Sequence, residues 1–451
     1  MRPLISWSAL TSASVGLWGL GVEGGASLRR LGSKGLTPVL VDDNPAVATL
    51  GDLEILATDH GGLEALLACD VVIKSPGISR YRPEVARLEG MGIPVRSGLG
   101  LWLEDVPLDR VTCITGTKGK STTTAIAGHL LSHLGYDAKV GGNIGQPPWE
   151  PSAGEPDYWV IETSSYQVPD LTNGPPVVAV TSLSPDHLDW HGSVERYYAD
   201  KLALCTKTGV RTAIADGSSA NLRAQASALG PHVQWVDAED PAFGGPWIRA
   251  LGQPGEHNTR NAAMARAVLK SLGVVEADDS AQMEAAAAGF EGLSSRCYSV
   301  GHIGPVEFVD DSLSTNALPA QAALEAYGER PVALLVGGHD RGLDYAPLGQ
   351  AVARRTVPTL VVTMPTNGPR IGSAIREVAG SAAEVIDAAS LEDAVAVAWA
   401  WARSAGNEVG GGTGDAVVLL SPAAPSFGEY TDYRERARAF VDAAARYGPL
   451  T

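Results

Sequence analysis

The sequence predicts an α/β protein of three domains, because strand-like apolar runs alternate with helical stretches and 451 residues exceed one ordinary hydrophobic core. The early runs SVGLWGLG, TPVLVDD and DVVIKSPGI each end in a polar or glycine-rich turn, as strands of a parallel sheet do. The same alternation resumes at RVTCITG and again at VEFVDDS. We therefore expect domains over 1–107, 108–294 and 295–451, with parallel sheets and right-handed crossovers.

The composition narrows the functional class. Lys and Arg number 34 against 51 Asp and Glu, so the formal net charge is −17 and general binding to nucleic-acid backbones is disfavoured. A nucleotide site stays open, because a few local cations and backbone N–H groups suffice there. The four cysteines show no metal-type spacing and are expected to be buried, reduced thiols. Neither a signal peptide nor a membrane-spanning run is apparent, so we expect a cytoplasmic protein.

The strongest motif is Thr115–Ser121, GTKGKS preceded by threonine, between the strand-like VTCI and the helical TTTAIAGHLL. Glycines let such a loop curl around phosphate oxygens, and the following helix N-terminus offers N–H groups and partial positive charge. Lys120 is the candidate for β/γ-phosphate neutralisation and Ser121 for a Mg²⁺ ligand. Ile114 replaces the first glycine of the longer consensus, so the loop is a shorter variant. A glycine turn with incidental lysines is the alternative.

Other polar residues follow strands of the same segment. Glu162 ends the strand-like run YWVIE. It is a candidate metal ligand at the edge of the sheet, and the alternative is an acid that stabilises the N-terminus of a helix. The loop Ser184–His191 carries two acids and two histidines, which could coordinate a hard cation or orient phosphate, or cap a helix. Lys201 lies in a helical run, and from the residues alone we expect it to be a surface lysine.

The outer segments carry weaker signals. Gly19–Gly24 matches GxGxxG after a strand, and Asp42 closes the next strand, which suits any nucleotide or sugar-nucleotide phosphate. In the last third, the polar loops Asp310–Asn316, Gly337–Gly342 and Ser421–Ser426 each follow a strand. Three such loops on one sheet could converge on a small ligand, although each could be turn chemistry. The glycine-rich segment 404–415 is expected to be a flexible surface loop.

Taken together, GTKGKST, ETSSYQ, DHLDWHG, HNTRNA and LSPAAPSF stand in an order that resembles the Mur ligase family along the whole chain. The resemblance implies a Rossmann-like N-terminal domain for a UDP-sugar, a central P-loop ATPase-type domain and a Rossmann-like C-terminal domain for an amino acid. It implies ATP and Mg²⁺ as cofactors, and an ATP-dependent ligase that adds glutamate to UDP-N-acetylmuramoyl-L-alanine through an acyl phosphate. No nucleic-acid or membrane partner is expected, and the chain is expected to be a monomer.

The resemblance also assigns residues. It implies catalytic roles for Lys120, Glu162, His187 and Lys201, with Lys201 carbamylated and joining Ser121, Glu162 and His187 as metal ligands. The ATP-binding set that it implies is Gly116, Thr117, Lys118, Gly119, Lys120, Ser121, Thr122, Asn258, Asn261, Arg296 and Asp311. The set for the UDP-substrate is Gly21, Val22, Asp42, Ser75, Gly77 and Asn143. The set for the amino acid is Thr315, Arg341, Ser426 and Tyr433.

The amino-acid segment departs from the family pattern for D-glutamate. That pattern has lysine where this sequence has Leu313 and Arg341, and a cysteine- or alanine-bearing stretch where it has Pro425. The runs GGHDRGLD and SPAAPSFGEYTDY are similar to those of the variant that adds L-glutamate and works beside a separate epimerase. Opposite enantiomers require rearranged cations, so L-glutamate is the prediction. The alternatives are the D-glutamate enzyme, a folate-polyglutamylating ligase, a P-loop NTPase without ligase activity, and a non-catalytic sugar-nucleotide binder.

Overall fold

The structure is a computed structural model that describes residues 5–380, 383–408 and 416–451. It divides into two compact units: the first comprises residues 1–252 and 259–290, and the second comprises 253–258 and 291–451. The described residues form three six-stranded sheets, two in the first unit and one in the second.

The first sheet of the first unit has the strand order β3-β4-β2-β1-β5-β6, and all its pairs are parallel except β3–β4. Its strands are β1 Val15–Trp18, β2 Val39–Asp42, β3 Thr49–Leu50, β4 Leu53–Ala57, β5 Val71–Lys74 and β6 Val95–Arg96. The helices of this segment are α1 Val22–Ser33, α2 Leu63–Leu67, α3 Pro83–Gly90 and α4 Gly98–Leu103. The central strands β1 and β5 are buried throughout, as parallel strands covered on both faces should be.

The second sheet is wholly parallel, in the order β12-β11-β10-β7-β9-β8. Its strands are β7 Val111–Thr115, β8 Ala138–Gly142, β9 Tyr158–Glu162, β10 Val177–Val180, β11 Thr212–Asp216 and β12 Val233–Val236. The helices are α5 Lys120–His133, α6 Leu188–His191, α7 Val194–Leu202, α8 Ala220–Ala224, α9 Glu256–Ser271 and α10 Ser280–Ala287. Because β7, β9 and β10 lie at the centre, the loops that follow them open at one edge of the sheet.

Buried ion pairs join the two sheets of the first unit. Lys74, at the end of β5, and Arg80 both contact the carboxylate of Asp170, which lies in a 3₁₀ turn of the second sheet's segment. The side chains of Lys74 and Asp170 are fully buried, so neither charge is solvated by water. Arg29 adds a bidentate pair with Glu150, with both N···O distances at 2.7 Å.

The second unit contains a mixed sheet in the order β13-β14-β18-β15-β16-β17, in which only β13–β14 is antiparallel. Its strands are β13 Tyr298–Ile303, β14 Val306–Asp310, β15 Val332–Gly338, β16 Thr359–Thr366, β17 Glu384–Asp387 and β18 Ala416–Leu420. Its helices are α11 Ala317–Ala326, α12 Ala346–Ala353, α13 Gly368–Ala379, α14 Leu391–Glu408 and α15 Tyr433–Ala445.

The predicted fold class is confirmed, with three α/β sheets that are predominantly parallel. The predicted loop over 404–415 is wrong in its first part, because residues 404–408 continue α14; residues 409–415 lie outside the described residues. The domain limits at 107 and 295 stay a prediction, since the first two sheets form one compact unit.

Cys69, Cys113 and Cys205 are buried free thiols, whereas Cys297 is partly exposed. No helix of the described chain is long and apolar enough to cross a membrane.

Candidate functional site

The loop between β7 and α5 has the backbone form that a phosphate cradle needs. Gly116 and Gly119 adopt φ values of +151° and +85°, which side-chain-bearing residues rarely reach. A Cβ atom on Gly116 would lie 2.1 Å from Thr181 Oγ1, and one on Gly119 would lie 2.4 Å from Asn261 Oδ1. Both glycines are therefore required by conformation and by space. Helix α5 begins at Lys120, so its N-terminal N–H groups lie at this loop.

Side chains of the loop tie it to the segment after β10. Thr117 Oγ1 donates to the carbonyl of Ser184 at 3.0 Å and lies 2.9 Å from Tyr197 Oη. The Lys118 ammonium lies 3.3 Å from Asp186 Oδ2. The loop thus has a fixed shape held by hydrogen bonds, which favours a preorganised anion site.

Glu162, at the end of β9, faces the same loop. Its side chain is fully buried, Lys120 Nζ lies 3.9 Å from its Oε1, and Asn143 Nδ2 donates to Oε1 at 2.7 Å. Its other oxygen, Oε2, is buried and has no hydrogen-bond partner among the described residues. The helix N-terminal role considered for Glu162 is wrong, because the residue closes a strand. Asn143, predicted for the UDP-substrate, is a direct partner of this carboxylate, and its role toward that substrate stays a prediction.

Lys201 is not the surface residue that its helical run suggests. It is 2% exposed in α7, and its ammonium donates to the carbonyl of Gly116 at 3.0 Å. Burial holds the pKa of Lys201 well below the usual lysine value, and the nearby Lys120 ammonium lowers it further. A lysine with a depressed pKa supplies the neutral amine that reacts with CO₂, so this environment suits the carbamate predicted from the family resemblance.

The two histidines of the segment Ser184–His191 lie in different environments. His187 has a left-handed backbone, is about half exposed, and its Nδ1 lies 2.9 Å from Tyr166 Oη. Burial lowers the pKa of His187. The charges of Lys120 and Lys201 lower this pKa further, whereas the Asp186 carboxylate raises it. His191 is buried with both ring nitrogens in hydrogen bonds, so a metal-ligand role for it is not supported.

The described residues contain no group of three or more His, Cys, Asp or Glu side chains arranged to hold a metal. A site built from Ser121, Glu162, His187 and a modified lysine contains only two residues of those types. The orphaned, buried Glu162 Oε2 is the observation that fits a divalent cation here, since a buried carboxylate oxygen needs a partner. Ser121 is buried at the first turn of α5, and Thr122 follows it half-buried.

Of the two asparagines in α9, Asn261 lies at the phosphate loop, where Thr123 Oγ1 donates to its Oδ1 at 3.4 Å. Asn258 donates to the carbonyl of Pro254 at 2.8 Å.

The predicted UDP-substrate residues of the first sheet converge at the carboxyl edge of β1, β2 and β5. Ser75 Oγ donates to the carbonyl of Gly19 at 2.6 Å, and Leu20 N donates to Asp42 Oδ2 at 2.8 Å. Gly21 caps α1, Val22 is largely exposed at its first position, and Gly77 has open space at its Cα. Asp42 therefore shapes the glycine turn.

The three polar loops of the second unit lie together, as predicted. Ser421 Oγ donates to Asp311 Oδ2 at 2.6 Å, and a Cβ atom on Gly338 would lie 2.4 Å from the carbonyl of Pro425. Burial raises the pKa of Asp311 to about 7, although hydrogen bonds from Ser421 and Cys297 and the Arg296 charge oppose the shift. The sequence analysis missed Arg436, which is buried and donates to the carbonyls of Ser312 (2.8 Å) and Ala424 (3.1 Å). Nothing in its helical run distinguishes Arg436 from a surface arginine.

The amino-acid candidates differ in exposure. Arg341 is exposed and has no ion-pair partner within the described chain, so its guanidinium is available to a carboxylate. Ser426 is buried, while Thr315 and Tyr433, the first residue of α15, are half-buried. Arg370, also missed, pairs with Asp340 at 2.7 Å and donates to the carbonyl of Leu343.

A cavity of about 800 Å³ opens at the amino ends of β7 and β9, which is the end opposite to the phosphate loop. It is lined in part by Trp102, Trp149 and Trp159. None of the predicted site residues lines it. The phosphate loop is therefore identified by its chemistry and backbone geometry rather than by cavity size.

Comparisons with known proteins agree with this geometry. Residues 114–242 match the model of the Mur ligase middle domain. A protein of Xanthomonas euvesicatoria pv. vesicatoria named UDP-N-acetylmuramoyl-L-alanine–L-glutamate ligase is 38% identical over 97% of this chain and 96% of its own length. A protein of the same name from Micromonospora sp. is 37% identical over 97% of both chains.

Solved structures extend the likeness to the whole fold. UDP-N-acetylmuramate–alanine ligase MurC from Thermotoga maritima aligns with a TM-score of 0.57 and 19% identity, covering 95% of this chain and 98% of its own. The MurF ligase from Thermotoga maritima in complex with ADP aligns with a TM-score of 0.54 and 14% identity over 99% of both chains.

Proposed function

The chain belongs to the Mur ligase family, and on that basis we propose that it joins L-glutamate to UDP-N-acetylmuramoyl-L-alanine at the expense of ATP. The observation that carries the proposal is near-full-length identity of 36–38% to relatives named for L-glutamate addition. The product would be a precursor of peptidoglycan, and hence of the cell wall that maintains cell shape and permits division.

The phosphate loop supports the first chemical step. The carboxylate of the bound alanine would attack the γ-phosphorus of ATP, giving an acyl phosphate and ADP. Loop N–H groups and the Lys120 ammonium would stabilise charge that spreads over the transferring oxygens, which is where catalysis of phosphoryl transfer mainly lies. The buried Glu162 carboxylate, 3.9 Å from Lys120 Nζ, would hold that ammonium in place.

We propose Mg²⁺ as the cation at this site, with Ser121, Glu162, His187 and a carbamylated Lys201 as its candidate protein ligands. The bound ion would draw charge from the phosphate oxygens. Three features of the chain support the assignment: the unsatisfied Glu162 Oε2, the lowered pKa of His187, which keeps its imidazole neutral, and the lowered pKa of Lys201.

The second step requires the glutamate amine to attack the acyl carbonyl, with loss of phosphate from a tetrahedral intermediate. We propose that Arg341 and Ser426 bind the glutamate carboxylates, with Thr315 and Tyr433 as further contacts. Arg341 suits this role, because an exposed guanidinium without an ion-pair partner in the described chain can bind a carboxylate in two parallel hydrogen bonds. A separate epimerase acting on the product, a monomeric state and a cytoplasmic location complete the proposal.

Product chirality tests the proposal directly. The purified chain, given ATP, Mg²⁺ and UDP-N-acetylmuramoyl-L-alanine, should form amide with L-glutamate at least about tenfold faster than with D-glutamate, since about 1.4 kcal/mol of discrimination suffices for that ratio. Faster reaction with D-glutamate would reverse the enantiomer assignment. ADP release that ignores glutamate would instead support an NTPase without ligase activity.

Lys120→Ala tests the role of the loop. It should abolish product formation while leaving binding of the UDP-substrate within about twofold in calorimetry, because that substrate is assigned to the first sheet. Lys34→Ala, at the exposed end of α1, is the matched control and should retain full activity. Residual turnover above about a tenth of wild type in Lys120→Ala would contradict the role given to Lys120.

A further inference from the structure

A chain of hydrogen bonds connects four side chains near the phosphate loop: Ser165, His191 and Asp200 are buried, and Tyr81 is exposed. His191 Nδ1 lies 2.7 Å from Asp200 Oδ2, and His191 Nε2 lies 3.0 Å from Ser165 Oγ. Tyr81, from the segment after β5, donates its hydroxyl to the other oxygen of Asp200. This series of hydrogen bonds therefore extends from the segment after β5 of the first sheet to the loop after β9 of the second sheet, within one compact unit.

The Asp200 carboxylate sets the direction of the two hydrogen bonds that it receives. A carboxylate only accepts, so Asp200 receives a hydrogen bond from Tyr81 and one from the N–H at His191 Nδ1. In the tautomer with its single ring proton on Nδ1, His191 accepts at Nε2, where Ser165 donates. Each Asp200 oxygen has one donor, and an asparagine at this position could accept only one of the two.

A serine, a histidine and an aspartate linked in this way are also the parts of a nucleophilic triad. Burial rules out that use here, because Ser165 is 3% exposed and the His191 side chain is fully buried. A substrate carbonyl cannot reach Ser165 Oγ in this arrangement. The hydrogen bonds must therefore hold groups in place rather than activate a nucleophile.

The groups that they hold are the segments carrying the proposed chemistry. Ser165 lies three residues after Glu162, and Asp200 immediately precedes Lys201 in α7. Successive helical residues point about 100° apart, so Asp200 anchors α7 on one side while Lys201 contacts Gly116 on another. Rotation of α7 would break both contacts together.

Tyr81 gives the chain of hydrogen bonds a second end. It lies four residues after Gly77, in residues 75–81, which we call the UDP-substrate segment because Ser75 and Gly77 are assigned to that substrate. Arg196 of α7 stacks on the Tyr81 ring at 4.6 Å, and Trp190 packs edge-on to it at 5.8 Å. The UDP-substrate segment is thus joined to α7 by a hydrogen bond and a cation–π contact, and to α6 by a ring contact.

We propose that Asp200, His191, Ser165 and Tyr81 are positioning residues for the ligation, which set Lys201 and Glu162 relative to the phosphate loop and couple that geometry to the UDP-substrate segment. This inference rests on the proposed function. None of the four needs to touch substrate, so their loss should slow turnover more than it weakens binding.

Kinetics of single and double variants test the proposal. Asp200→Asn should lower kcat by about 10–100-fold, with KM for ATP and for the UDP-substrate within about threefold of wild type. Tyr81→Phe should lower kcat less, and adding it to Asp200→Ala should cost nothing further, since that variant has already lost both acceptor oxygens. Tyr198→Phe, on the same helix, is the control and should retain wild-type kcat.

Three results would overturn the proposal: single effects that multiply in the double variant, equal losses in Tyr81→Phe and Tyr198→Phe, or losses confined to thermal stability. A readout without turnover separates this inference from the proposed function. With ¹⁵N-labelled histidine, the His191 Nδ1 proton should resonate far downfield in the wild-type chain and lose that shift in Asp200→Asn. If the wild type forms no amide, the proposed function fails, and this spectrum still decides whether the hydrogen bonds exist.

Discussion

Asp170→Asn should strongly destabilise the first unit, because it removes a charge that two buried cations share. Asp170 Oδ1 lies 2.9 Å from Arg80 Nη1, and Oδ2 contacts Lys74 Nζ. The side chains of Lys74 and Asp170 have no exposed surface, and Arg80 has 6%. The substitution keeps the volume of the side chain, so the effect reports charge and hydrogen bonding rather than a cavity.

The size of the effect follows from the burial. Breaking a buried ion pair by removing one partner typically costs about 3–5 kcal/mol, because the remaining charge is neither paired nor hydrated. Two features limit the loss: Lys74 keeps its hydrogen bond to the carbonyl of Ile78 at 2.9 Å, and Arg80 keeps its contact with Glu89. We therefore expect about 3 kcal/mol, a large part of the roughly 5–15 kcal/mol that stabilises a typical domain.

Urea unfolding followed by tryptophan fluorescence measures this difference, provided that the slope of the transition is unchanged. The matched control is Asp109→Asn, which makes the same chemical change in a pair with Arg211 at 3.6 Å where the side chains are 82% and 74% exposed. Exposed pairs contribute about 0–1 kcal/mol. Equal free energies of unfolding for the two variants would show that the junction between the sheets does not depend on this ion pair.

Three further predictions concern the sites. Gly119→Ala should weaken ATP binding at least about tenfold in nucleotide titration, because its Cβ would lie 2.4 Å from Asn261 Oδ1 at a φ of +85°, whereas Gly32→Ala, with open space in a helix, should not. The raised pKa of Asp311 means that the folded chain holds this proton more tightly than the unfolded chain, in which the carboxyl has the ordinary pKa of 3.8. The free energy of unfolding should therefore decline as the pH rises from about 4 to 7. In urea titrations across this range, Asp311→Asn should flatten the decline by a few kcal/mol at most. Lys201→Ala should lose activity that formate or acetate partly restores if a carbamate is present, and absence of any rescue would count against the carbamate.

Local patterns carried the parts of the site that sequence could predict. The loop at Thr115–Ser121 is contiguous, and its two glycines adopt backbone angles that favour glycine over other residues. The convergence of the three polar loops of the second unit also followed from local patterns, because parallel strands place their carboxyl ends at one edge. Weakly patterned strands such as β4, β8 and β17 were missed, since their side chains are only partly buried and show little alternation.

What the sequence could not reveal is which polar residues are buried, because burial depends on partners distant in the chain. Lys201 and Arg436 both lie in helices with many exposed neighbours, yet Lys201 contacts a carbonyl 85 positions away and Arg436 one 124 positions away. His191 illustrates the same limit in the opposite direction, since its motif suggested a cation ligand while Ser165 and Asp200 occupy both of its nitrogens. A buried polar side chain without a partner is costly, so each of these residues constrains the segment that it contacts. The residues that shape this site are consequently more numerous than those that its motifs contain, and substitutions outside the motifs should alter turnover while leaving the motifs intact.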